Sequence, residues 1–473
     1  MKKICYALLL CLMACQAGRD GTTKPAFPAS QPTDIQPWEG NSRFWAYEGQ
    51  PTLLLGGSKD DNLFQFFPLS AHLDSVVAAG GNYLRCVMSS RQEQGGELAA
   101  FAQQGSGLYD LNQWNPVYWS QFEDFLRLTH DRNIIVQVEI WATHDFYNAK
   151  DSWKTSPWHP DNNLNYTFGN TRLPQSVDRP PKAVHPFFHS VPALNNDSLL
   201  LRYQKAFVQK LLSHSLQYDH VLYTMTNEIP GPISHEWGWF WSDFVRNEAA
   251  REGKRVYTSE MYWEPDLTDM RQDFILEHPA RYDFFEASQN SANFGQQHWD
   301  FLHHVWQKLS AYPRPINHDK TYGADTSPKR WTGKSKDGVD RFWKSLLGGA
   351  ASCRFHRPVA GLGLSAVARH NIGLARKIEE RIRFWSLTPR LDVLMDREED
   401  EAYSALSDGN AWLVYFPAGG EIALDLPKGH FRLEWFPVLP QADETDYLAA
   451  IAGGNALKLS PPDENGWIAL IWH

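Results

Sequence analysis

From about residue 52 to residue 385 the chain alternates short β-prone apolar runs with helical spacings eight times, and this rhythm limits the fold more than any other feature. The strand-like runs fall at 52–57, 82–88, 134–141, 222–228, 255–260, 282–288, 315–320 and 351–356. Apolar positions at helical spacing separate most of them, as in 71–79, in Tyr118, Phe122, Phe125 and Leu126, and in Tyr203, Phe207 and Leu211. Further helices are expected at 239–251, 297–309, 342–347 and 365–385. No glycine fingerprint of a dinucleotide-binding turn accompanies the first strand, so an α/β fold of the (β/α)8 TIM-barrel type is expected over 41–395, in preference to a doubly wound sheet.

The rhythm changes after the acidic run 396–401, read as a solvated connector. Short alternating strands at 412–416, 421–425, 432–436 and 467–471, separated by Gly and Pro turns, predict a small all-β sandwich over 402–473. Packing against the barrel as a structural cap suits it better than sugar binding.

The other end reads as an address. Lys2 and Lys3 precede an apolar run too short to span a bilayer, so 1–14 reads as a signal peptide. The run closes on Leu12-Met13-Ala14-Cys15, which resembles a bacterial lipobox and makes Cys15 the expected lipidation site. Residues 15–40 then form a flexible tether. An exported, membrane-anchored lipoprotein is expected, facing the periplasm or the cell surface, with the lipid as its only membrane contact. Removing residues 1–14 takes two lysines with it and lowers the net charge from −10 to −12. That charge argues against nucleic acid. Cys86 and Cys353 lie inside strand-like runs and are expected as buried, unpaired thiols. No metal signature is present, no cofactor is called for, and no obligate protein partner is evident.

The chemistry centres on Leu222-Tyr223-Thr224-Met225-Thr226-Asn227-Glu228, where an apolar run ends in an amide and a carboxylate before Ile229-Pro230-Gly231-Pro232. In an α/β barrel these two residues stand at the C-terminal mouth. A carboxyl there, among 20 tryptophans in the chain, is expected to have a raised pKa and to donate a proton near neutrality. Many Trp beside Asn, Gln, His and Asp also suit flat sugar faces.

Asn227-Glu228 at a fourth strand's end resembles the acid/base site of clan A glycoside hydrolases, and Arg85 in Asn-Tyr-Leu-Arg is similar to the arginine those enzymes place beneath the active site. The opening Gly-Gln-Pro-Thr-Leu-Leu-Leu-Gly-Gly, the barrel, and the terminal Asp408-Gly409, Val414-Tyr415-Phe416, Gly419-Gly420 and Leu424-Asp425-Leu426 together resemble the apiosidase-like glycosidases. Those carry a C-terminal module labelled collagen-binding. The resemblance implies an O-glycosyl hydrolase acting on a complex polysaccharide or its oligosaccharides, with Glu228 as general acid.

One position departs from that pattern. Retaining members place a nucleophilic Glu about five residues after the Pro of strand seven, and here that count from Pro315 reaches Lys320, after Asp319 and His318. Adjacent strand residues face opposite sides, so Asp319 and Lys320 both point inward only if a bulge re-aims one. Asp319 or Glu286 is the expected second carboxylate. Glu139 and Glu260 are expected in structural ion pairs. Substrate contacts are expected from Arg85, Trp141, His144, Asn227, Trp263, His318, Lys320, Tyr322 and His356. The long segment 143–196 and the loop after strand two are expected to wall the pocket. The rival expectation is a catalytically silent glycan-binding lipoprotein on the same barrel.

Overall fold

The computed structural model describes residues 33–90, 95–147, 152–177, 184–326, 328–407, 411–440 and 448–473. The signal peptide, Cys15, most of the tether and Asp408-Gly409 lie outside them.

Eight parallel strands carry the α/β region: β1 (Leu54–Gly57), β2 (Tyr83–Val87), β3 (Ile135–Ala142), β4 (Val221–Asn227), β5 (Thr258–Ser259), β6 (Phe285–Glu286), β7 (Ile316–Thr321) and β8 (Ser352–Phe355). They pair as two four-stranded sheets, in the orders β5-β4-β3-β2 and β6-β7-β8-β1. Every residue of β3 and β4 is buried, as expected of strands covered on both faces. The sheet edges meet at both ends. Asn82 N donates to Leu55 O at 2.8 Å, and Asp283 N donates to Thr258 O at 2.8 Å. Gly56 permits the first approach, because a Cβ there would collide with the Tyr83 carbonyl.

The helices following these strands are α1 (Leu69–Ala78), α2 (Pro116–His130), α3 (Ser198–Ser215), α4 (His235–Arg251), α5 (Gly295–Lys308), α6 (Ser335–Leu347) and α7 (Ala366–Glu379), with short helical pieces at His144–Tyr147 and Ser152–Thr155 after β3 and at Asp273–Leu276 after β5. Capping matches the sequence locally: Asn115, Asp197 and Ser365 accept backbone N–H groups at the starts of α2, α3 and α7.

β5 and β6 are shorter than the sequence suggested, for a physical reason. The Glu260 carboxylate takes the Thr226 N–H at 2.8 Å, replacing a backbone partner at the point where β5 would continue. Similarly, Glu286 accepts Ser288 N at 3.1 Å, and a 3-10 turn follows. α7 stops at Glu379, short of the expected residue 385.

The C-terminal region is β-rich and two-layered. Its strands are β9 (Tyr403–Ser407), β10 (Ala411–Phe416), β11 (Ile422–Asp425), β12 (His430–Pro437), β13 (Leu448–Ala452), β14 (Ala456–Leu459) and β15 (Trp467–Trp472). β9-β10-β15-β12-β13 form one antiparallel sheet, extended beside β9 by Thr388–Pro389, while Leu394–Met395, β11 and β14 form the other. Tyr403, Leu413, Tyr415, Ile468 and Leu470 face the core of the α/β region. Trp412, Val414, Ala469 and Ile471 face Ile422, Leu424 and Leu459 in a second core. β9, β13 and β14 escaped the sequence reading. The acidic run is not simply solvated, since Asp400 accepts from Lys344 Nζ at 2.6 Å and from the Tyr403 hydroxyl at 2.7 Å. Cys86 and Cys353 are buried and unpaired, and burial pushes both thiols up to about 12.

Candidate active site

The last residue of β4 is Asn227, and Glu228 follows with φ of 59°. This left-handed backbone is costly for a residue with a Cβ, and such strain gathers at functional sites. Both side chains consequently reach a cavity of about 610 Å3 at the C-terminal ends of the strands. Asp61, Arg85, His144, Lys320, Tyr322 and His356 line it, as do Trp263, Gln289, Trp331 and Arg357.

Glu228 is held from three sides. Lys320 Nζ lies 2.7 Å from Oε1, Gln289 Nε2 donates to the same oxygen at 3.1 Å, and His144 Nε2 lies 3.5 Å from Oε2. Lys320 also donates to Asn227 Oδ1 at 2.5 Å. Burial alone would push the Glu228 carboxyl up. The Lys320 charge and the His144 contact outweigh it and hold the carboxyl well below the usual carboxylate range. The expected raised pKa is therefore reversed: Glu228 is an ionised carboxylate, and not a stored proton.

Asp61 is the second cavity carboxylate. Arg85 Nη1 reaches it at 2.5 Å and Arg357 Nε at 2.6 Å. Arg85 also pairs with Glu139 at 2.5 Å and approaches Asp319 at 3.8 Å, so this buried side chain, which lines the cavity, links it to the carboxyls outside it. Burial pushes the His356 imidazole well below its usual range, keeping it neutral beside Asp61.

The two carboxyls expected as catalytic partners lie elsewhere. Asp319 and Glu286 do not line the cavity and are almost completely buried below it. Gln137 Nε2 donates to Glu286 Oε2 at 2.7 Å and to Asp319 Oδ2 at 2.9 Å. Ser288 Oγ lies within hydrogen-bond reach of both, 2.9 Å from Asp319 Oδ1 and also against Glu286 Oε1. Burial and the Asp319 charge push Glu286 well above the usual range. At strand seven, the pairing of β7 with β8 breaks register between His318 and Thr321, so Asp319 turns into the interior while Lys320 reaches the cavity.

Three further expectations need correction. Trp141 is core, packed against Trp237, Trp241, Phe187 and Phe207, and does not line the cavity. His318 is buried on the outer side of β7, beside the hydroxyls of Ser291, Thr321 and Ser345. Glu139 does pair with Arg85, but Glu260 is bonded to the N–H groups of Thr226 and Met261, with no cation among the described residues. Burial pushes Glu260 up to about 8.

The expected pocket walls also shift. Among the described residues of 143–196 only His144 lines the cavity, because Phe146, Trp153, Trp158, Phe187 and Phe188 turn into the core. The wall comes instead from the segments after β5, β6, β7 and β8: Trp263, Gln289, Trp331 and Arg357. Asp61 and Trp331 were missed from sequence. The acidic pair Asp60-Asp61, three and four residues past β1, was the available signal for the first. Among the described residues no group of three or more His, Cys, Asp or Glu side chains is placed to hold a metal ion.

A family model described as a domain of unknown function (DUF6298) matches residues 92–287. No curated protein matches the chain. Among solved structures, a glycoside hydrolase family 5 protein from Bacteroides vulgatus is similar at 13% identity and a TM-score of 0.62, covering 93% of each chain. A structure titled simply glycoside hydrolase is similar at 10% identity and a TM-score of 0.60, covering 93% of this chain and 97% of the other. At such identities the likeness is one of fold, and it extends over nearly the whole chain, C-terminal region included.

Proposed function

We propose that the chain is a glycoside hydrolase, its two parallel sheets closing as one (β/α)8 barrel over 41–395 with the sandwich of 402–473 as a structural cap. The observation that carries this reading is Glu228, a strained, ionised carboxylate in a sugar-sized cavity walled by the half-exposed indoles of Trp263 and Trp331. Fold similarity to glycoside hydrolases supports it. The sequence motifs further favour an apiosidase-like member, exported and anchored through Cys15.

In this reading Glu228 faces the anomeric carbon and stabilises its developing positive charge, as the ionised member of a glycosidase pair does. His144, beside it, gives a proton to the leaving oxygen as the C–O bond breaks; water then bonds the anomeric carbon through its oxygen and returns its proton to the His144 ring, which completes hydrolysis. Asp61, fixed between two arginines, accepts sugar hydroxyls, and Asn227 and Tyr322 complete the polar wall.

The test is release of reducing ends from a panel of polysaccharides and their oligosaccharides by the wild type and by Glu228→Gln. Turnover abolished in the variant, with binding kept, supports the assignment. Specific binding by the wild type with no release from any glycan overturns it and leaves a sugar-recognising scaffold.

A further inference from the structure

Nearly all the charge lining the cavity is internally matched. Lys320 meets Glu228 at 2.7 Å, Arg85 meets Asp61 and Glu139 at 2.5 Å each, and Arg357 meets Asp61 at 2.6 Å. Lys329 is different. It is exposed, its ammonium lies 5.2 Å from the centroid of the Trp331 ring, and no carboxylate among the described residues is within ion-pair distance of it.

The loop that carries this pair is built, not loose. Thr332 is fully buried, its Oγ1 accepts the Lys329 N–H at 2.9 Å, and its carbonyl accepts from Arg341 Nη1 at 2.5 Å. Tyr322 meets Trp331 edge-on at 5.0 Å, fixing the indole's tilt against the cavity wall. Trp331 is still 43% exposed. An aromatic plane with a cation on a flexible stem beside it suits a sugar ring that bears a negative group. A chain of net charge −10 repels such a sugar in general, so an unmatched cation at the cavity is informative.

We propose that Lys329 and Trp331 form a subsite for an anionic sugar, the ring stacking on the indole while the ammonium pairs with a carboxylate or a sulfate ester. The proposal rests on the carbohydrate reading of the cavity and narrows its substrate class.

Binding of the full-length protein to matched neutral, uronic-acid-containing and sulfated oligosaccharides tests it, with Lys329→Gln and Glu228→Gln alongside the wild type. Acidic members should be retained in preference to neutral ones, and added salt should weaken that preference. Lys329→Gln should lose roughly three- to fivefold in affinity for the acidic members and leave neutral ones unchanged. Methyl-esterified and desulfated controls then separate the two anionic sources, whichever control loses binding naming the group. Retention of neutral members alone, of no acidic member, or an equal loss on both classes in Lys329→Gln overturns the subsite. Acidic binding that survives in Glu228→Gln without any wild-type turnover sinks the hydrolase assignment and spares the subsite.

Discussion

Two sets of carboxylates sit within one side-chain length of each other inside the parallel sheets, and they do different things. At the cavity, Glu228 and Asp61 are held by Lys320, Arg85 and Arg357. Below it, Glu286 and Asp319 are held by the amide of Gln137 and the hydroxyl of Ser288, with Arg85 at a distance. Lys320 and His144 keep the buried Glu228 charged, whereas burial and the neighbouring Asp319 charge raise Glu286. Both sets lie in or just beyond the C-terminal parts of strands in the same architecture. What separates them is the positive φ at Glu228 and the register break in β7, each of which moves a side chain by one step.

The sharpest way to break this contrast is Glu228→Gln, expected to lower kcat roughly a hundred- to ten-thousand-fold on whichever glycan the panel identifies. A loss no larger than that caused by Glu286→Gln would erase the distinction between the two layers. Next is Arg85→Met, which strips Asp61 and Glu139 of their shared cation. A buried pair broken from one side costs about 3–5 kcal/mol, read from the denaturant midpoint.

The pH dependence of stability should split in the same way. Glu228, with its folded pKa depressed, contributes stability that is present above the ordinary carboxylate value and lost as the pH falls through the folded one. Glu260 runs the opposite way. Its folded pKa is about 8 against an ordinary 4.5, so the folded state binds the extra proton and stability declines as the pH rises between those values. The slope is at most roughly 1.4 kcal/mol per pH unit, and Glu260→Gln should reduce it in denaturation curves collected across that range. Smallest is Glu286→Gln, which disturbs the Gln137 and Ser288 bonds at about 1–3 kcal/mol of stability. It should leave kcat of the folded protein unchanged, since Glu286 does not reach the cavity.

Much of this is legible in the amino-acid sequence. Local patterning placed all eight parallel strands, because buried strands read as apolar runs and helices as a 3.6-residue stripe. It also located Asn227-Glu228, since a polar pair that closes an apolar run just ahead of a Pro-Gly-Pro break marks the end of a buried strand. Exposed strands were less legible: β13, with only Ile451 half-buried, carries no alternation to read.

The amino-acid order by itself determined the alternation, the change of rhythm after residue 401 and the position of Glu228 at a strand end, because each follows from local periodicity and turn chemistry. Only the tertiary structure decided that Glu228 is ionised, that Lys320 and not Asp319 reaches the cavity, and that Asp61 from the loop after β1 joins the site. Those outcomes depend on groups far apart in sequence meeting at a few ångströms, where charge–charge attraction and desolvation, which no local pattern encodes, set the charge of Glu228.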